Sequence, residues 1–323
     1  MPKAKIKQKK TKTLAKKENK TSKKIKSDSN KENTFEKENK SISESKKENF
    51  VKAFLNKNKV FVLLTTLFLI AEGLGLFVTT RLITLGIKGS TITGDMNNPL
   101  EAIYLIVMIL LMTGVILVLL KYKKQRKFLW LVEIFAIFGT SIIVLSTIIP
   151  DDFIVLIITF LLIILRQKNR KNIMLRNVIS VIAIAGAGSL IGISFGFVPI
   201  LLFVTLLAIY DFIAVFKTKH MVALGKAVVG ENLAFTVAMP TKEHNFELGN
   251  GDLVIPLVIS ASVIANGFFN NNILVALLCL IGSYIGLVFS IYIVKTKKIA
   301  LPALPPQIFL ILIIVGISFL FGF

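Results

Sequence analysis

Nine apolar runs constrain this chain more than any other feature: Val60–Thr80, Ala102–Leu120, Phe128–Ile149, Phe153–Leu165, Val178–Phe195, Val198–Phe216, Leu253–Phe269, Ile273–Val294 and Ala303–Phe323. Most are about 17–22 residues, long enough to cross a bilayer as helix. A soluble protein of 323 residues would place far more polar surface around its core than a chain that is 54% hydrophobic allows. The expected fold is therefore an all-α, multi-pass protein of the cell membrane with nine transmembrane helices. Phe153–Leu165 is the short run. Its helix would cover about 20 Å against a hydrocarbon core of about 30 Å, so a re-entrant segment is its alternative.

The formal net charge of +21 resembles a nucleic-acid signature until its placement is considered. Residues 1–59 hold 20 Lys and 7 acidic residues. Their composition of Lys, Glu, Asn and Ser reads as a disordered tail that contacts anionic lipid, and it is not a secretory signal peptide. With that tail in the cytoplasm, the inside connections carry Lys121 to Lys127, Arg166 to Arg176, Lys217 to Lys242, and Lys295 to Lys298. Only Arg81 and Lys88 fall outside, so 37 of the 39 basic residues lie on one side, as the positive-inside rule requires. Dropping the fourth span would reverse the later groups. The expected topology is N-terminus cytoplasmic and C-terminus outside, with membrane lipid and no nucleic acid as the partner of the basic residues.

Ionisable groups inside apolar runs are costly and each is a functional candidate. Glu72, Glu133, Asp211 and Asp252 qualify, whereas Asp151 and Asp152 read as solvated loop residues beside Pro150. Asp211 sits about 7–8 Å from the end of the sixth run. A hydrogen bond between helices, or pairing with Lys217 or Lys219, is its bland explanation. Asp252 follows Gly249-Asn250-Gly251, and its bland explanation is a helix N-cap. The sixth and seventh runs are antiparallel in the nine-span topology, so both aspartates lie near the cytoplasmic face. At the same face, Pro302, Pro305 and Pro306 remove three backbone donors, which free backbone tolerates only when buried in protein or lining a water-filled cavity. A proline-rich helix start is the alternative.

Two carboxyls in close contact share a proton, one acting as base on water and the other as acid. Such a pair can hydrolyse a peptide bond. Cys279 has no histidine in any span, and His220 and His244 are too scattered for a metal site. A substrate helix must also be unwound and its backbone re-bonded, which strand addition to an extended segment would achieve. Residues 230–251 and 301–306 are the candidate platforms, with Gly249 and Gly251 permitting close backbone approach near Asp252.

Tyr210-Asp211, Gly249-Asn250-Gly251-Asp252 and Pro302-Ala303-Leu304 resemble the three signature motifs of the presenilin and signal peptide peptidase family of intramembrane aspartyl proteases. Tyr210–Ala223 is most similar to archaeal members. The resemblance covers about residues 60–323 and implies Asp211 and Asp252 as the catalytic pair. It also implies a substrate site shaped by Tyr210, Gly249, Gly251, Pro302, Ala303 and Leu304, transmembrane peptides or signal-peptide remnants as substrates, and neither metal nor organic cofactor. Residues 60–195 would then be scaffold, and residues 196–323 the catalytic region, including the 217–251 connection. Asn250 stands where many relatives carry an apolar residue. The N-in orientation is similar to that of presenilins and implies substrates whose N-terminus is outside. The rival class is a proton- or cation-coupled transporter or channel, which Glu72 and Glu133 keep open. Internal repeats and paired broken helices, usual in transporters, are not visible.

Overall fold

Polar and glycine punctuation decides where the apolar runs become helices. The structure, a computed structural model, describes residues 59–87, 89, 91–122, 125–218, 232–240, 245–297 and 301–322. The basic tail before Lys59 and the archaeal-like stretch from 219 to 223 lie outside the described residues. Among the described residues there are nine helices: α1 (Lys59–Thr84), α2 (Leu100–Lys121), α3 (Gln125–Ser146), α4 (Asp152–Lys168), α5 (Ile173–Ser194), α6 (Phe197–Ile213), α7 (Gly251–Asn266), α8 (Asn272–Lys297) and α9 (Leu304–Phe321). Seven of them, with α6 counted on to Phe216, are long and apolar enough to cross a membrane; α4, of 17 residues, and α7, of 16, are shorter. The chain is an integral, multi-pass membrane protein.

Local chemistry moves several boundaries from their expected places. Asp151 is not simply a solvated loop residue. Its carboxylate accepts the Phe153 and Ile154 N–H groups and caps α4, satisfying donors that the first helical turn leaves free. That cap, with Arg166 and Lys168 retained at the far end, lengthens α4 beyond its apolar run. The last turn of the sixth run widens into a π-turn at Ala214–Thr218. Gly267 ends α7 in the left-handed conformation, φ 60°, which glycine adopts at little cost.

One departure from an all-helical chain occurs in the connection between α6 and α7. β1 (Thr236–Pro240) and β2 (Asn245–Gly249) pair antiparallel, with Val237 opposite Leu248 and Met239 opposite Phe246. The apolar residues of the hairpin recur with period two, so Val237, Met239 and Leu248 point together into a buried cluster. There they meet Leu64 and Phe68 of α1, Leu253 and Leu257 of α7, and Leu287 of α8.

Small residues set the helix packing, as expected where lipid supplies no hydrophobic drive between helices. On α5, the most buried of the seven long helices, a Cβ at Gly186 would lie 2.7 Å from the Thr140 carbonyl oxygen of α3. One at Gly192 would lie 2.7 Å from the Val258 carbonyl oxygen of α7. α6, α7, α8 and α9 share a second core built from Phe203, Leu207, Ile255, Ile259, Cys279 and Ile308. By contrast, α2 buries little of its length.

Candidate active site

The site forms where α6, α7 and α9 meet. Asp211 lies on the buried side of α6, 6% exposed, among core residues that include Leu207, Ala208 and Leu304. Its Oδ2 accepts the Leu304 backbone N–H at 3.3 Å. Leu304 opens α9, so its N–H has no partner in its own helix and is free to meet a carboxylate. The chain arrives there through buried Pro302 and half-buried Ala303, and Pro305 and Pro306 withhold the next two donors. The proline segment thus aims one N–H at Asp211. Lys217 and Lys219, the alternative partners, have side chains outside the described residues.

Gln307 holds that segment in place. It is fully buried, donates its amide to the Ala303 carbonyl at 3.1 Å and accepts the Ser283 hydroxyl of α8 at 2.7 Å. Gly286 makes the approach of α8 possible, because a Cβ there would lie 2.7 Å from the Gln307 backbone.

Asp252 stands in the first turn of α7. It is not the helix N-cap: that position is Asn250, which makes no side-chain capping bond. The Asp252 carboxylate instead lies beside the Gly249 N–H at the end of β2, and close enough to Asp211 for the two to interact electrostatically. Pro256 lacks the N–H that would bond the Asp252 carbonyl, which leaves this turn more open. The expectation for the two glycines divides. Gly249 approaches Asp252, where a Cβ would sit 3.5 Å from Oδ2, whereas a Cβ on Gly251 would meet open space. Tyr210 is half-buried against the shared core of α6, α7 and α9.

Of the two glutamates without a role, Glu133 has an explanation in the structure. Its Oε1 accepts Arg166 Nε at 3.0 Å and the Ala234 N–H at 2.9 Å, and its Oε2 accepts Arg170 at 2.9 Å. Arg166 also donates to the carbonyls of Arg170 and Asn232. These bonds tie α3 and α4 to the chain entering β1. From α5, Asn177 bonds both backbone groups of Ala238, Ser180 reaches the Ala234 and Thr236 carbonyls, and Arg176 pairs with Glu247 of β2 at 3.0 Å. Sequence reasoning missed Arg166, Arg176, Asn177 and Glu247. Arg166 and Arg176 stood out only as charges setting topology, while the Arg176-Asn177 pair just ahead of an apolar run was the available signal. Glu72 is buried on α1, and neither of its carboxyl oxygens has a hydrogen-bond partner. Among the described residues no group of three metal-ligating side chains occurs.

The sequence model of the signal-peptide peptidase and presenilin aspartyl protease family matches residues 65–319. The chain belongs to that family. It is an intramembrane aspartyl protease, an aspartic endopeptidase of the presenilin and signal peptide peptidase type. The fold agrees. Two crystal structures of a presenilin family intramembrane aspartate protease, in space groups C222 and P2, superpose with TM-scores of 0.56 and 0.53. Each is 21% identical and covers 78% of this chain, and the match takes in 94% and 96% of those chains. No curated protein matches the sequence.

Proposed function

We propose that Asp211 and Asp252 are the water-activating pair of this protease, and that Pro302, Ala303 and Leu304 shape its site. The observation carrying this is the joint placement of the two carboxyls on adjacent helices, one bonded to the Leu304 N–H and the other lying beside the Gly249 N–H and near the first. Two such carboxyls hold one proton between them. The ionised one takes a proton from water while the water oxygen attacks the peptide carbon, and the protonated one gives its proton to the carbonyl oxygen. Collapse of the tetrahedral intermediate returns a proton to the departing nitrogen and breaks the C–N bond, leaving an acid and an amine.

Substrates in this reading are transmembrane segments or signal-peptide remnants, unwound and re-bonded as a strand. Backbone groups alternate between the two edges of an antiparallel ladder. Since Ala238 turns its groups to Asn177, Val237 and Met239 face β2, and Glu247 and Gly249 face the far edge. That edge ends at Asp252, so a strand added there passes the carboxyl pair. Tyr210 and Gly251 flank this path.

The finer topology follows the charge count. All nine helices cross, including α4 and α7, with the N-terminus cytoplasmic and the C-terminus outside. Residues 1–59 form the basic tail, 60–195 the scaffold and 196–323 the catalytic region. The Tyr210–Ala223 stretch supports an archaeal-type member, and the N-in orientation supports substrates whose N-terminus is outside.

Purified protein and a labelled transmembrane peptide test the pair. Both Asp211→Ala and Asp252→Ala should abolish cleavage, and unchanged cleavage by either would refute the assignment.

A further inference from the structure

Polar side chains of α3, α4 and α5, helices that carry neither Asp211 nor Asp252, bond the hairpin and the chain entering it. Asn177, near the start of α5 and buried, donates Nδ2 to the Ala238 carbonyl at 2.8 Å and accepts the Ala238 N–H on Oδ1 at 2.8 Å. One amide thereby makes both bonds that a third strand would make at that residue. The neighbouring contacts reinforce it: Glu133 takes the Ala234 N–H, Arg166 the Asn232 carbonyl, and Arg176 and Thr236 both bond Glu247.

We propose that Asn177 is a positioning residue for substrate: its amide closes the outer edge of β1, so the hairpin stands preformed and offers only the edge of β2. This rests on the reading of that edge as the substrate's seat. Each strand of a two-stranded sheet is an edge that templates further pairing, and an isolated hairpin is marginal. A substrate strand on β1 would lie on the side of the hairpin away from Asp252. On β2 it lies beside Gly249, whose neighbour is the Asp252 carboxylate. Occupying the β1 edge with a side chain removes the unproductive choice and spares the substrate the cost of ordering the hairpin.

The test uses the full chain in vesicles, with a labelled transmembrane peptide and a small hydroxyl-bearing transition-state mimic that contacts the carboxyl pair without flanking peptide. Asn177→Leu should raise KM about ten- to a hundredfold, the weight of two backbone hydrogen bonds. It should leave kcat and affinity for the small mimic within about threefold, and it should speed hydrogen exchange at 236–240. Asn177→Asp, which keeps the acceptor and loses the donor, should lie between. Asn177→Gln, with the amide one methylene further out, should restore part of the loss. If Asn177→Leu does not fold, the aspartate variant must still show a rise confined to KM, and without one the proposal fails. An unchanged KM with faster hairpin exchange overturns it, as does a parallel loss of kcat, KM and mimic binding. A peptide N-methylated at alternate positions separates the two readings. If methylation leaves KM unchanged in the wild type, strand addition itself fails. If methylation raises KM but Asn177→Leu does not, only the role of Asn177 fails.

Discussion

At the scale of single residues, the carboxyl pair is defined by what its oxygens touch. Asp211 takes an N–H that a helix start leaves over, and Asp252 lies beside one at a strand end. A pair sharing one proton lacks a base when both carboxyls are protonated and lacks an acid when both are ionised. Initial cleavage rates should therefore rise and then fall with pH, and a monotonic profile would exclude the shared proton. Glu72 yields an opposite kind of prediction. A buried carboxyl without hydrogen bonds is a standing cost, so Glu72→Leu should raise the melting temperature in detergent by the equivalent of about 1–3 kcal/mol. A lower melting temperature would mean that the carboxyl has a partner worth keeping. Glu133 differs because its charge is matched by Arg166 and Arg170, and removing one member of a buried pair usually costs about 3–5 kcal/mol.

Elements meet at distances that their small residues permit. Because a Cβ at Gly286 would strike backbone atoms of Gln307, Gly286→Ala must push α8 from α9. Overpacking of this kind costs about 1–3 kcal/mol. It should also shift Ala303 and Leu304 away from Asp211, lowering kcat more than KM; cleavage kinetics and thermal melting together would reveal this. The hairpin was the element hardest to read from the chain. Val237, Met239, Phe246 and Leu248 alternate with more polar or smaller neighbours, a strand signal. It is only five residues long on each side, however, and sits in a stretch whose polarity reads as a loop between spans. Its stability comes from Asn177, Glu133 and Arg166, each at least 55 residues away in sequence, so local pattern could suggest strands there without fixing them.

For the whole molecule, the nine-span topology proposed above, which puts 37 of the 39 basic residues on one side, is a prediction about both termini. An N-terminal tag should be accessible from the cytoplasm and a C-terminal tag only from outside, as reagent labelling of intact cells and inverted vesicles would reveal. Tags on the same side would mean an even number of crossings and remove α4 or α7 from the membrane-spanning set.

What the sequence determined by itself was the solvent, the helical class and the identity of the three motifs. Bilayer crossing depends on run length and composition, both of which are local. It could also mark Asp211 and Asp252 as costly, because a charge in an apolar run is costly whatever surrounds it. The tertiary structure decided which neighbour each carboxylate meets: Leu304 for Asp211, and Gly249, not the end of its own helix, for Asp252. It also turned Glu133 from a candidate relay into a tie for the hairpin. For Asp211 and Glu133 those outcomes rest on hydrogen bonds between groups far apart in the chain, whose directions are set only when the helices pack; for Asp252 the packing decides that it faces Asp211.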